Sequence, residues 1–511
     1  MTPIAAGALV FLTSAAVLII EILAARLLAP FVGASLETYT AIIGTVLAGI
    51  SLGTWVGGRL ADRLDPRSLL GPLLAGGGAL ALATVPVVRI FGGALESSSA
   101  LSAVTLSLAG IFAPAAVLSA VSPTVVKLQL RNLDVTGQVV GRLSALGTAG
   151  AIAGTFLGGF LLVEAVPTSA TILAMGGTLV LAGVGVWVAG ARHTSHAPRL
   201  PRSTTNYLIL GCAMTVGASG LAIAVGDHPC DVETVYHCAE VEPDQTRPSG
   251  RTLVLDRLNN SYVDLEDPTY LDFRYARLFA DTVDAHAPAG PLDVLHIGGG
   301  GFTFPRWFRA VRPGSTSVVL EIDPVLVELS RERLGLVTGP DLEVRNGDAR
   351  LLLPSLPEGR YDVVLGDAFG GLAVPWHLTT VEFARMIRDV LRPDGIYVIN
   401  LIDNAPMRFA RAEAATLKEA FGHVVVIAPR EFLDRQSGGN VVIAASRTPI
   451  DAGAIASRIA ARSGIETVLT GEAAAAFAGG VPLLTDDYAP VDQWLARTRR
   501  NLASGAPPGP P

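Results

Sequence analysis

The chain has 511 residues, half of them hydrophobic and 16% charged, with a mean hydropathy of +0.47. That excludes a single ordinary water-soluble domain. A formal net charge of −7 without any dense Lys/Arg cluster also argues against nucleic acid as a partner, because phosphate binding needs concentrated basic side chains, whereas small cationic substrates are compatible.

From Ile4 onward, apolar stretches of about twenty residues, long enough to cross a bilayer, recur near 4–29, 39–58, 69–90, 100–126, 139–163 and 168–190. A seventh lies near 205–225. The first is too long for the core of a secretory signal and is expected to remain as a span. Gly44, Gly49, Gly53, Gly57 and Gly58 predict close helix contacts in lipid. Arg59, Arg63 and Arg67, then Lys127 and Arg131, then Arg192, Arg199 and Arg202 occupy alternate loops, which places the N-terminus in the cytoplasm of a multi-pass cell-membrane protein. Glu21 and Arg26 in the first span are costly at bilayer depth and mark a candidate polar site, although Arg26 is near enough to a helix end to snorkel. Gly57 to Arg63, GGRLADR, resembles the cytoplasmic loop of major-facilitator transporters.

Of the three cysteines, Cys212 lies in an apolar segment, while Cys230 and Cys238 are close enough to pair in an oxidising compartment or to remain two thiols. Neither they nor the eight histidines, His193 and His196 among them, have metal-ligand spacing, so no metal is expected. Residues 227–290 read as a small β-rich entry domain, with strand runs at Thr252–Leu255 and Ser261–Asp264. Residues 291–446 read as an α/β core, 447–502 as a helical segment beginning at Ala452, and 503–511 as a disordered Gly/Pro tail.

The α/β core opens with an apolar strand around Val294, Leu295 and Ile297, followed by Gly298, Gly299, Gly300 and Gly301, where backbone can approach a ligand without an intervening Cβ. A helix capped by Thr303, with Pro305 in its first turn, should follow, its apolar face made by Phe304, Trp307, Phe308 and Val311. A second strand, Val318–Leu320, ends at Glu321, about twenty residues beyond the glycines, where such folds place the carboxylate that takes ribose hydroxyls. Three more strands lead into Asn346-Gly347-Asp348, Gly366-Asp367 and Asn400. Ligands in open α/β sheets bind at strand carboxyl ends, so this set predicts a pocket.

Glu233-Thr-Val-Tyr236, Leu253-Val-Leu-Asp256 with Asn260, Tyr275, the glycine loop, Glu321-Ile322-Asp323, Asn346-Gly347-Asp348 and Tyr361 through Asp367 together resemble the spermidine synthase family, specifically members fused to an N-terminal multi-span domain, over roughly 230–495. The resemblance implies an N-terminal transmembrane helical bundle of six or seven spans and a C-terminal Rossmann-like transferase domain of the S-adenosylmethionine-binding type. It further implies aminopropyl transfer from decarboxylated S-adenosylmethionine to an amine. Glu321, Ile322, Asp348, Ala349 and the glycines would hold the donor, Asp367 would hold and deprotonate the amine, and Tyr236 and Tyr275 would complete the catalytic set. Asn260, Trp376, His377, Asp486 and Asp487 are candidates for the acceptor pocket. A lipid bilayer and an amine are the implied partners, with a homodimer as a candidate assembly.

Three family positions differ. The loop acid after the third glycine is Gly301, the acid three residues beyond the catalytic one is Gly370, and a late tyrosine falls near Arg435. Loss of the loop acid opens the site to ordinary S-adenosylmethionine, so methyl transfer is an alternative. A further alternative is a transporter-like protein whose C-terminal domain senses a nucleoside or polyamine without catalysis. Supply of the donor places the C-terminal domain in the cytoplasm, which requires that the seventh segment not cross the bilayer; a Cys230–Cys238 disulfide would overturn that placement.

Overall fold

A computed structural model describes residues 1–32, 36–95, 100–130, 133–162, 166–190, 210–220, 230–256, 258–370 and 374–495. Arg131, Arg192, Arg199, Arg202, His193, His196, the ends of the seventh apolar segment and the tail 503–511 lie outside the described residues. The chain divides into two compact units, Met1–Cys238 and Ala239–Pro511.

In the first unit, six helices among the described residues are long and apolar enough to cross a membrane. They are α1 (Pro3–Val32), α2 (Leu36–Arg63), α3 (Pro66–Ala94), α4 (Leu101–Gln129), α5 (Thr136–Leu162) and α6 (Thr168–Gly190). A shorter apolar helix, α7 (Leu210–Gly220), follows. Small residues set many of the helix contacts, since without a Cβ the backbones can approach closely. Gly49, Gly53 and Gly57, spaced one turn apart on α2, lie against Phe112, Ala116 and Ala120 of α4; a Cβ on Gly57 would come within 2.7 Å of the Ala120 Cα. Gly44 and Gly58, read in the same series, meet nothing closer than 3.9 Å. Other glycine contacts tie α1 to α5 at Gly150 and Gly154, and α3 to α6 at Gly71, Gly78 and Gly183. In α4 a wide helical turn at Leu108–Phe112 leaves the Gly110 carbonyl to accept a bond from Thr84 Oγ1 at 2.9 Å. Glu21 and Arg26 are both half-buried on α1.

The two ends of this bundle carry different polar contacts. At one end Lys127 Nζ pairs with Asp62 at 2.6 Å, and Gln129 Nε2 donates to the Met1 carbonyl. At the other, Arg89 Nη2 donates to Ser169 Oγ at 3.1 Å, and Ser169 donates to Glu233 Oε1 at 2.9 Å. Cys230 and Cys238, which bracket Glu233, are joined by a disulfide.

In the second unit, β2 (Cys238–Pro243), β3 (Gly250–Leu255) and β4 (Leu258–Asp264) pair antiparallel, following the short strand β1 (Val232–Glu233) in sequence. Helix α8 (Arg274–His286) comes next. The main sheet has eight strands in the order β12-β10-β11-β9-β8-β5-β6-β7. Its parallel part comprises β5 (Asp293–Ile297), β6 (Thr316–Glu321), β7 (Leu342–Asn346), β8 (Tyr361–Gly366) and β9 (Leu391–Asp403). The remaining strands, β10 (His423–Pro429), β11 (Gly439–Ser446) and β12 (Glu466–Leu469), join antiparallel. The inner parallel strands β5, β6 and β8 are largely buried, as in sheets covered on both faces, whereas the edge strand β7, LEVRN, is mostly polar and only partly buried. From β5 the chain winds through β6 to β7 on one side and through β8 to β9 on the other, so strand order reverses between β5 and β8. A crevice opens at such a reversal, beyond the carboxyl ends of the strands.

Candidate active site

The loop after β5 and the end of β8 meet at this crevice. Gly298 (φ +90°) and Gly300 (φ +50°) adopt left-handed backbone conformations that other residues enter only with strain. A Cβ on Gly298 would lie 2.7 Å from the backbone oxygen of Asp367, and one on Gly300 would lie 2.8 Å from Asn260 Oδ1. The Gly301 N–H donates to Ser261 Oγ at 2.7 Å, fastening the loop to β4. Helix α9 (Thr303–Val311) then begins, with Phe302 rather than Thr303 as its cap. The left-handed turn carries on through Phe302 (φ +56°), and the Thr303 hydroxyl is diverted to the Tyr262 carbonyl at 2.9 Å. Phe304, Trp307 and Phe308 are buried, while Val311 is 38% exposed at the far end of the helix.

Because Gly298 is wedged against Asp367, Gly298→Ala is expected to lower turnover at least tenfold and destabilise the unit by about 1–3 kcal/mol. Gly359→Ala, at another left-handed glycine (φ +61°) with open space around it, should cost stability alone. Turnover and thermal melting of both variants check this.

Glu321, at the end of β6, is 5% exposed. Its Oε2 accepts from the Gly299 N–H at 2.7 Å, and its Oε1 accepts from the Asp323 N–H at 2.9 Å. Burial pushes the carboxyl above its ordinary pKa, while these backbone donors pull it back. Oε2 also accepts from the Gly300 N–H at 3.4 Å, so the lone pair left for a hydroxyl is on Oε1. Next to it, Ile322 is 40% exposed and can cover the flat face of a base. Asp348 caps α10 (Ala349–Leu352) through the Arg350 N–H at 2.8 Å, and its Oδ2 faces His377 Nε2 at 3.0 Å. Ala349 is buried behind it.

Asp367 is held from two directions. The Tyr275 hydroxyl on α8 donates to its Oδ2 at 2.8 Å, and Asn400 Nδ2 on β9 donates to its Oδ1 at 3.1 Å. Asn440 Nδ2 on β11 in turn donates to Asn400 Oδ1 at 3.0 Å, fixing the amide's orientation. Burial raises Asp367 to about 6, and the two hydrogen bonds act in the opposite direction. Burial and the neighbouring carboxylate keep Tyr275 a protonated donor. A pocket opens beside Asp367, lined also by Asn260, Tyr275, Gly298 to Gly300 and Asp272. A half-buried carboxylate, Asp272 accepts from the Tyr270 hydroxyl at 3.1 Å. Two acids in one cavity suit a cationic ligand.

Of the residues predicted from sequence, this unit brings together Asp367, Tyr275, Asn260 and the glycines, with Glu321 bonded to the same loop. Tyr236 is not among them; it belongs to the first unit, where it is 41% exposed. His377 pairs with Asp348, and Asp486 forms a two-pronged ion pair with Arg350, Oδ1 at 2.8 Å from Nη1. Trp376, 45% exposed, packs edge-on against the His377 ring, and Asp487 is exposed. Asp272, Asn400 as a partner of Asp367, and Asn440 were not assigned from sequence. A hydropathy pattern carries no signal for the first, and the other two depend on strand neighbours distant along the chain.

No family model matches the chain. It is 30% identical over 162 residues to a polyamine aminopropyltransferase of Vibrio vulnificus, covering 31% of this chain and 52% of that protein. It is likewise 30% identical over 141 residues to a polyamine aminopropyltransferase of Chromobacterium violaceum, covering 27% and 53%. The crystal structure of a probable spermidine synthase from Corynebacterium glutamicum matches with 32% identity and a TM-score of 0.46, covering 49% of this chain and 94% of that one. The chain thus spans about half the length of the curated relatives it matches. Over the matched part of the second unit, the chain is similar to proteins named polyamine aminopropyltransferase and resembles the spermidine synthase-like family.

Proposed function

We propose that the protein is a membrane-anchored transferase that moves an aminopropyl group from decarboxylated S-adenosylmethionine to an amine. The observation that carries this reading is Asp367, a carboxylate of raised pKa held by Tyr275 and Asn400 at the mouth of a pocket that also contains Asp272.

Glu321 would take the ribose hydroxyls, with Ile322 and Asp348 toward the base and the glycine loop along the thioether. The acceptor arrives as an ammonium, which has no lone pair to attack with. Asp367 binds the cation and accepts one proton. The freed nitrogen attacks the propyl carbon bonded to sulfur, the C–S bond breaks with its electron pair going to sulfur, and neutral methylthioadenosine leaves. Because the sulfonium is already a good leaving group, alignment supplies much of the remaining acceleration.

Gly301, standing where the family's loop acid would be, favours a second reading, methyl transfer from ordinary S-adenosylmethionine, whose carboxylate such an acid would repel. Asp272 returns negative charge to the pocket and supports the first reading. Turnover by the full-length protein with each donor and a panel of amines decides between them. Methylthioadenosine supports aminopropyl transfer; adenosylhomocysteine overturns it.

With Asp367 near 6, kcat/KM at fixed concentration of the ammonium form of the acceptor should rise about tenfold per pH unit below 6 and level off above it. Stability should move the opposite way. Asp367 and the buried helix-capping Asp403, also raised to about 6, bind more protons folded than unfolded, so their contribution is complete below about pH 4 and is lost as pH rises through 6. Parallel pH series of rate and melting temperature check both signs.

A further inference from the structure

Within the membrane-embedded unit, one end carries the basic loop of Arg59, Arg63 and Arg67, the Lys127–Asp62 pair and the Met1–Gln129 bond. The positive-inside rule assigns that end to the cytoplasm. From Pro66 at this end, α3 reaches Arg89 after about 35 Å of helix, more than the thickness of the hydrocarbon core. Antiparallel to α3, α6 begins beside Arg89, where Ser169 receives its bond, and returns to the basic end at Gly190. Ser169 also bonds Glu233, which ion-pairs with Arg89 at 3.7 Å. The chain is therefore at the basic end at 190 and at the opposite end by 230, so one crossing must occur between them. That stretch contains the apolar sequence Tyr207–Val225, whose described part is helix α7. The Cys230–Cys238 disulfide around Glu233 points independently to the same side, since such bonds persist in oxidising compartments and are rare in the cytosol.

We propose that the chain crosses the bilayer seven times and presents its catalytic domain on the non-cytoplasmic face, in place of the cytoplasmic domain expected from donor supply. The pocket then draws a sulfonium donor and an amine from that compartment, and a transport or release step must deliver any donor made in the cytosol. This substrate statement rests on the aminopropyl transfer proposed above, whereas the topology does not.

The test uses the full-length protein with Cys212→Ser and a single added cysteine, either Glu358→Cys on the exposed surface of the second unit or Asp134→Cys between α4 and α5. Each variant is exposed to a membrane-impermeant maleimide in right-side-out and inside-out vesicles. Glu358→Cys should label only in right-side-out vesicles and Asp134→Cys only in inside-out ones. Labelling of both from the same side, or of Glu358→Cys only in inside-out vesicles, overturns the proposal. Cys230 and Cys238 should react with maleimide after denaturation only if a reductant is added first; free thiols without it remove the disulfide from the argument and contradict the oxidising placement. Because the readout is labelling, a loss of transferase activity leaves the result unaffected.

Discussion

Asp367→Asn is expected to lower kcat about a thousandfold while the affinity for the donor stays within a few-fold of the original. The amide is nearly isosteric and can still bond Tyr275 and Asn400, so the pocket should keep its shape. What disappears is the negative charge that holds an ammonium and the site that takes its proton. Isothermal titration with the donor, run beside turnover, separates the two effects. Turnover within tenfold of the original would remove Asp367 from the chemistry, and a matching loss of donor affinity would make its role one of binding.

The second large effect is expected at Glu321. Glu321→Ala should weaken donor binding about ten- to a hundredfold, since the charge-assisted hydrogen bond from Oε1 to a ribose hydroxyl is lost, worth about 1.5–3 kcal/mol. It also strips the Gly299 and Asp323 N–H groups of their acceptor, so the loop itself should loosen. Glu321→Gln separates these contributions: the amide oxygen can serve one backbone N–H while the charge is gone, and affinity should fall between the two. Equal donor affinity in all three proteins, measured by equilibrium titration, would contradict the ribose assignment.

Strand ends were the most legible part of the site. The apolar runs of the α/β core lead into polar residues, and the structure places Glu321, Asp348 and Asp367 at or just past strand ends, whereas Asn400 lies inside β9, which runs on to Asp403. Spacing alone locates Glu321, because a strand, a glycine turn and a helix use a nearly fixed number of residues. Pairings made over long sequence separations were not legible. Asp486 looks like a free acid from its neighbours, yet it is held by Arg350, and His377 looks like an acceptor-pocket wall but serves Asp348. Asp272 reaches the pocket only because the segment before α8 folds over the glycine loop, a tertiary event without periodicity. In the first unit, hydropathy located the six long apolar helices to within about five residues. The glycines that mattered were those one helical turn apart, Gly49, Gly53 and Gly57, and not their neighbours Gly44 and Gly58.

The central claim is the reaction, and identification of the nucleoside product tests it most directly. Purified full-length protein is incubated with decarboxylated or ordinary S-adenosylmethionine and a set of amines, and the products are read by mass spectrometry. Methylthioadenosine, together with an amine heavier by one aminopropyl group, formed only from the decarboxylated donor and absent with Asp367→Asn, is the predicted result. Adenosylhomocysteine from the ordinary donor, or neither product despite saturable donor binding, would contradict it.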